Sequence, residues 1–249
     1  MMKFSDIPGK CSDAGCLDEK LDSLMPIRYC AALIDCDGTL LGNSEEIDHL
    51  AKKALFAQFG IEIDDDSYFS LWLNGGGGTK ELIERNDLAV TEGLTFDRAQ
   101  RRIDEYIDEY SGRVKPAAGA LELLHHLRSI PKVIVTQNYR HRAELLLEKA
   151  GLRGKYDYLV SESDPLLKRE GILNQGGKYT LGSRLLEIGP SVCLGIDNSP
   201  RGITAAREAR IGFIIACPSD KTKHCAFENG STPHIKISSL DEAIPYLKL

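Results

Sequence analysis

The stretch Tyr29-Cys30-Ala31-Ala32-Leu33-Ile34-Asp35-Cys36-Asp37-Gly38-Thr39-Leu40 decides how this chain is read. Its first half is short and apolar, which predicts a strand buried on both faces of a parallel sheet. Its second half sets two carboxylates at the strand's end, before a glycine that permits a sharp turn. In an open α/β sheet, ligands bind beyond the carboxyl ends of the strands. Alternation along the extended backbone sends Asp35 and Asp37 to the same side. Their charges repel unless a cation lies between them, and oxygen ligands suit a hard divalent ion such as Mg²⁺. The competing reading is an acidic turn that merely follows a core strand, because short motifs also match by chance.

Working outward, the same short buried-strand pattern recurs at Pro131–Thr136, Tyr156–Val160, Val192–Asp197 and Ile211–Ala216. His234–Ile237 reads as a short edge strand. Helical patterns at Ala120–Arg128, Arg140–Ala150 and Ile203–Ala209 separate them. Strands alternating with helices predict an α/β fold, a doubly wound parallel sheet with right-handed crossovers. Residues 42–114 interrupt this order with helical periodicity and no convincing strand. Ile47, Leu50, Ala51, Ala54 and Leu55 form one apolar stripe, and Phe96, Ala99, Ile103, Tyr106, Ile107 and Tyr110 another. Such stripes are helix-bundle core. Residues 1–28 have little periodicity. The expected division is therefore an extension at 1–28, an α/β core at 29–41 and 115–249, and an all-helical insert at 42–114.

The composition excludes several function classes. A length of 249 residues allows one large domain, or one with a sizeable insertion. The formal net charge of -6 disfavours a nucleic-acid partner, since affinity for the phosphate backbone comes from Lys and Arg. No apolar run approaches the roughly 18–20 residues that span a bilayer. Residues 1–26 are broken by Asp, Lys, Glu and Gly and lack a signal-peptide core. The expectation is a cytoplasmic monomer without a membrane partner. The seven cysteines lack the ligand spacings of zinc sites, and disulfides are rare in the cytosol, so all are read as reduced.

Asp35-x-Asp37-Gly38-Thr39-Leu40 after an apolar strand resembles the first motif of the haloacid dehalogenase superfamily, most of whose members are Mg²⁺-dependent phosphohydrolases. An all-helical insert directly after it is similar to the small cap of the beta-phosphoglucomutase-like and phosphoglycolate phosphatase-like members. The resemblance implies Asp35 as the nucleophile that attacks phosphorus and Asp37 as general acid and base. Members that cleave haloalkanoates lack the acid at the position of Asp37, because a halide leaving group needs no proton.

Further motifs extend the resemblance to the rest of the chain. Thr136, with Gln137 and Asn138 after it, matches the second motif, which holds phosphoryl oxygens; a helix N-cap is the bland alternative. Lys178, in Gly176-Gly177-Lys178-Tyr179, matches the third motif, a lysine that balances nucleophile and phosphate charge. Capped relatives often have Lys-Pro there, and Lys168 competes for the role. Gly195-Ile196-Asp197-Asn198-Ser199-Pro200-Arg201-Gly202-Ile203 resembles the acidic fourth motif, with Asn198 where the metal-binding Asp usually stands. The implied Mg²⁺ set is Asp35, Asp37 through its backbone carbonyl, Asp197 directly or through water, and Asn198. Gly75–Gly78 reads as either a hinge or an anion-contacting loop, and Lys80, Arg140 and Arg142 as candidate substrate contacts. The implied activity is hydrolysis of a small phosphorylated metabolite through an aspartyl-phosphate. A phosphomutase shares all four motifs, and a non-catalytic binding protein could retain the fold.

Overall fold

A computed structural model describes residues 27–65, 78–169, 171–172 and 176–248. The first 26 residues of the expected extension, and Gly75–Gly77, lie outside the described residues. In chain order the elements are β1 (Ile27–Arg28), β2 (Ala31–Asp35), α1 (Ser44–Ala57), α2 (Thr79–Arg85), α3 (Leu88–Thr91), α4 (Phe96–Tyr110) and α5 (Ala120–His126). They continue with β3 (Lys132–Thr136), α6 (Arg140–Lys149), β4 (Tyr158–Ser161), α7 (Pro165–Arg169), α8 (Gly177–Leu185) and β5 (Cys193–Asp197). The last are α9 (Pro200–Glu208), β6 (Phe213–Ala216), β7 (Ile235–Lys236) and β8 (Leu247–Lys248).

Six strands form one parallel sheet in the order β4-β3-β2-β5-β6-β7. Chain order reverses at β2, with β3 and β4 to one side and β5, β6 and β7 to the other. Parallel strands need crossovers, and the helices that supply them cover both faces. Ala32, Ile34, Ile134, Leu194 and Ile196 point to one face, under Leu123 of α5 and Leu147 of α6. Ala31, Leu33, Val133, Val135 and Ile214 point to the other, under Leu181 of α8 and Ile203 of α9. This double burial is why the strands read as unbroken apolar runs. The expected doubly wound α/β fold is the fold observed, with strand ends shifted by one or two residues. Ile27–Arg28 pair in parallel with Leu247–Lys248, a contact the sequence pattern does not announce.

Between Leu41 and Lys115 the described elements are all helical. Helix α1 packs on α4, and the apolar stripes meet: Ile47, Ala51 and Leu55 are buried with Ala99, Ile103 and Ile107. Both stripes belong to the same continuous core as the α5/α6 face of the sheet. No helix among the described residues is long and apolar enough to cross a membrane. Cys36, Cys193, Cys217 and Cys225 are free thiols.

Helix α8 lies unusually close to the sheet because Gly182 has no side chain. A Cβ there would stand 2.7 Å from Leu33 Cδ2 and 3.3 Å from Val133 Cγ1. Ala would gain helix propensity of about 1 kcal/mol but would overpack a buried contact, at a cost of about 1–3 kcal/mol. Gly182→Ala is therefore expected to lose up to about 2 kcal/mol on balance, read as a lower midpoint in urea denaturation. A raised midpoint would show that α8 can lift from the sheet at no cost.

Candidate active site

Strand β2 is central and ends at the point where strand order reverses, so its last residue faces a crevice that its neighbours cannot close. There the backbone folds into a tight turn: the amides of Leu40 and Leu41 both donate to the Cys36 carbonyl, and Gly38 N–H donates to Leu41 O. Gly38 sits at φ +76°, a left-handed conformation that suits glycine. A Cβ at Gly38 would also meet Asn198 Nδ2 at 2.1 Å and Glu45 Cδ at 2.6 Å. The glycine thus permits both the turn and the close approach of the fourth motif.

Asp35 is only 6% exposed. Its Oδ2 accepts a 3.0 Å hydrogen bond from Thr39 Oγ1, and its Oδ1 a 3.3 Å bond from Lys178 Nζ. Burial pushes the Asp35 carboxyl well above the usual range; Asp197 and Asp37 push it further, while Lys178 and Thr39 oppose them. Asp37 Oδ2 accepts from Thr136 Oγ1 at 3.0 Å. Burial also raises the Asp37 carboxyl, against the lowering effect of hydroxyl donors from Ser44 and Thr136. A carboxyl whose pKa burial raises, two residues from a second buried carboxyl, suits general acid chemistry.

The other expected residues come to the same crevice. Thr136 ends β3, fully buried, and its Oγ1 also accepts from Asn138 N–H at 2.9 Å. Gln137 is exposed at the rim. Lys178 opens α8, buried and paired with Asp35, whereas Lys168 is exposed on α7 and does not line the cleft. Lys80 and Arg142 line the cleft. Arg140 turns away, to Asp164 at 2.7 Å and to the Leu159 carbonyl.

The fourth motif lines the same cleft. Asp197, at the end of β5, accepts from Tyr179 Oη at 2.8 Å and from Ser199 N and Oγ at 3.0 and 2.9 Å. These three donors leave one of the roughly four lone-pair sites of the carboxylate, on Oδ2, without a protein donor among the described residues. Asn198 donates from Nδ2 to Glu45 Oε1 at 2.9 Å and to Ser219 Oγ at 3.3 Å. Glu45 was not among the expected residues. It is 6% exposed and also accepts from Ser219 Oγ at 2.8 Å. Burial pushes its carboxyl up to about 7; Ser219 and Asn198 oppose the shift, and Asp37 and Asp197 add to it. As an acid in the first turn of α1 it reads as a helix-dipole partner; only the missing charge at Asn198 hints at more.

Among the described residues no three His, Cys, Asp or Glu side chains converge on a metal position. The donors that fit Mg²⁺ are hard oxygens of mixed kind: the Asp35 carboxylate, the Asp37 carbonyl and the Asn198 carboxamide. The unbalanced carboxylates around them favour a cation. The site opens into a cleft of about 480 Å³, whose far wall comes from the helical insert through Asp48, Lys52, Phe96 and Gln100. Arg142 of α6 bridges to that wall, donating to Gln100 Oε1 at 2.7 Å and to Asp104.

A model of the haloacid dehalogenase-like hydrolase family matches residues 30–210. The chain belongs to this family. It is 31% identical over 189 residues to the validoxylamine A 7'-phosphate phosphatase of Streptomyces hygroscopicus subsp. limoneus, covering 74% of this chain and 83% of that protein. CbbY from Rhodobacter sphaeroides, solved in complex with phosphate, has the same fold, with a TM-score of 0.71 at 22% identity over 86% of this chain and 96% of that one. So has a Thermotoga maritima protein provisionally named a beta-phosphoglucomutase, with a TM-score of 0.62 at 18% identity over 86% of this chain and 96% of that one.

In this haloacid dehalogenase-like hydrolase, Tyr179 stands where capped relatives often have proline, and its hydroxyl is spent on Asp197. Hydrogen bonds to charged groups contribute about 1.5–3 kcal/mol each. Tyr179→Phe keeps the fully buried ring and is expected to lose that much stability in urea denaturation at neutral pH. Wild-type stability in the variant would mean that Ser199 alone satisfies Asp197.

Proposed function

We propose that the protein is a Mg²⁺-dependent phosphatase that hydrolyses a small, polar phosphate monoester through an aspartyl-phosphate on Asp35. The observation that carries this reading is the pairing at the end of β2: Asp35 sits against Lys178 Nζ, and Asp37 sits against Thr136 Oγ1. One carboxyl group lies against a cation and the other, two residues on, has its own hydroxyl donor, an arrangement that suits a nucleophile beside a general acid. Family membership and the phosphatase named above support the same reaction class.

In the first step an Asp35 carboxylate oxygen bonds to phosphorus while the ester P–O bond breaks. Asp37 donates its proton to the departing alkoxide oxygen. In the second step Asp37 removes a proton from water, the water oxygen bonds to phosphorus, and the P–O bond to Asp35 breaks. Inorganic phosphate leaves, and both carboxyl groups return to their starting states. Thr136, with the backbone around Gln137 and Asn138, orients the phosphoryl oxygens, and Lys178 offsets their charge. Asp35, the Asp37 carbonyl and Asn198 would hold Mg²⁺, with Asp197 as a nearby charge. Bound there, Mg²⁺ supplies positive charge against the repulsion between a dianionic ester and the Asp35 carboxylate. The insert at 42–114 acts as a cap over the core at 29–41 and 115–249, excluding water and contacting the organic part of the substrate. Asp48, Lys52 and Gln100 suit a substrate with hydroxyl or amine groups.

Asp35→Asn is expected to abolish release of inorganic phosphate from a panel of phosphorylated metabolites assayed with Mg²⁺, while leaving the circular dichroism spectrum unchanged. Wild-type turnover in that variant would remove Asp35 from the mechanism. Interconversion of isomers without phosphate release would make the protein a mutase instead. For Asp37→Asn, a loss of about 10²–10⁴-fold is expected with an alkyl phosphate. The rate of phosphoenzyme formation from p-nitrophenyl phosphate, whose leaving group needs no proton, should fall far less. Equal losses with both substrates would argue against Asp37 as the acid.

A further inference from the structure

We propose that Glu45 supplies the negative charge that Asn198 lacks, and that the Glu45–Asn198 pair positions the Asn198 carboxamide for Mg²⁺. The inference deepens the phosphatase reading and rests on Mg²⁺ binding beside Asp35. It begins from an apparent deficit. A neutral residue stands where the family usually has an aspartate, in a site whose cation affinity depends on ligand charge.

The geometry makes up that deficit from another element. Glu45 comes from the first turn of α1, in the helical insert, 153 positions before Asn198. Its Oε1 accepts the Asn198 amide at 2.9 Å and its Oε2 accepts Ser219 Oγ at 2.8 Å. Both oxygens are thereby fixed. A carboxamide that donates through its nitrogen to Glu45 must turn its oxygen the opposite way. The same carboxylate lies beside Gly38, the residue after Asp37, in space that a Cβ there would need. Glu45 therefore stands behind one of the three oxygens that would hold the metal, that of Asn198, and beside the turn that carries a second. It is a positioning residue, acting through Asn198.

The pairing also explains why aspartate is not simply better at position 198. A carboxylate there has no N–H to give, so the 2.9 Å contact that the Asn198 amide makes with Glu45 would set acceptor against acceptor. Asparagine donates where aspartate would repel. The charge has moved from position 198 to position 45, one residue further from the ion.

The test titrates Mg²⁺ alone into the full chain by calorimetry, with the Mg²⁺-dependent rise in Tm as a second reading. It uses wild type, E45Q, N198D and E45Q/N198D. Partners behind metal ligands typically carry about 10–100-fold in affinity, so E45Q is expected to raise the Mg²⁺ Kd at least about 10-fold. N198D alone should gain nothing, whereas E45Q/N198D should return to within about 3-fold of wild type because the charge count is restored. A merely structural role for Glu45 would not produce that rescue. Wild-type Mg²⁺ affinity in E45Q would overturn the proposal. So would N198D tightening Mg²⁺ binding about equally in both backgrounds, a result that N198D against wild type already reveals as a gain if E45Q cannot be purified folded. No saturable Mg²⁺ binding by wild type would overturn the metal reading and this proposal together; binding that E45Q leaves unchanged overturns this proposal alone.

Discussion

The buried negative charge at the carboxyl end of β2 and β5 is the constraint around which the rest of the molecule is arranged. Asp35, Asp197 and Glu45 are all nearly inaccessible, at 6%, 1% and 6% exposure. Placing a carboxylate out of water costs several kcal/mol unless charge or hydrogen bonds offset it. Each of the three has its own donors: Lys178 and Thr39 for Asp35, Tyr179 and Ser199 for Asp197, Asn198 and Ser219 for Glu45. Thr39 and Ser199 are close in sequence to the carboxylates they serve, but Lys178, Tyr179, Asn198 and Ser219 lie 143, 18, 153 and 174 positions away. They arrive together only because the sheet, α8 and the loop after β6 are packed as they are. Gly182 lets α8 approach Leu33 closely, and that approach brings Lys178 and Tyr179 to the strand ends.

Core and insert are joined at the same place by polar contacts rather than by apolar packing alone. Glu45 reaches from the insert to Asn198 and Ser219, and Arg142 reaches from the core to Gln100 and Asp104. Arg142 is itself buried, and its guanidinium lies 4.9 Å over the Tyr139 ring. A buried cation held by a carboxylate, an amide and an aromatic face is costly to strand. The wall that faces the reacting groups is thus fixed by the same kind of charge pairing that builds the site.

What could be read from the sequence followed how local each signal was. Strands β2, β3, β5 and β6 were legible because burial on both faces leaves an unbroken apolar run, and Asp35-x-Asp37-Gly38 marks its own position on the sheet. Lys178 and Lys168 were not separable by local pattern, since both lie near helices; only packing sets one against Asp35 and leaves the other exposed. Ile27–Arg28 gave no signal because two residues are too few for any periodicity to show. Glu45 was hidden for a different reason. An acid in the first turn of a helix has an ordinary explanation in the helix dipole, and its partner Asn198 lies 153 residues away.

Two departures from the family pattern, Tyr179 for proline and Asn198 for aspartate, look unrelated in sequence and are related in space. Tyr179 spends its hydroxyl on Asp197, and Asn198 spends its amide on Glu45. Each adds a donor beside a buried carboxylate in a site that already holds Asp35 and Asp37. A proline after Lys178 could not satisfy Asp197, and an aspartate at position 198 could not satisfy Glu45. Given a glutamate at position 45, the asparagine is the residue that electrostatics selects. The neutral residue at position 198 is then a rearrangement of charge around the crevice and not a loss of it.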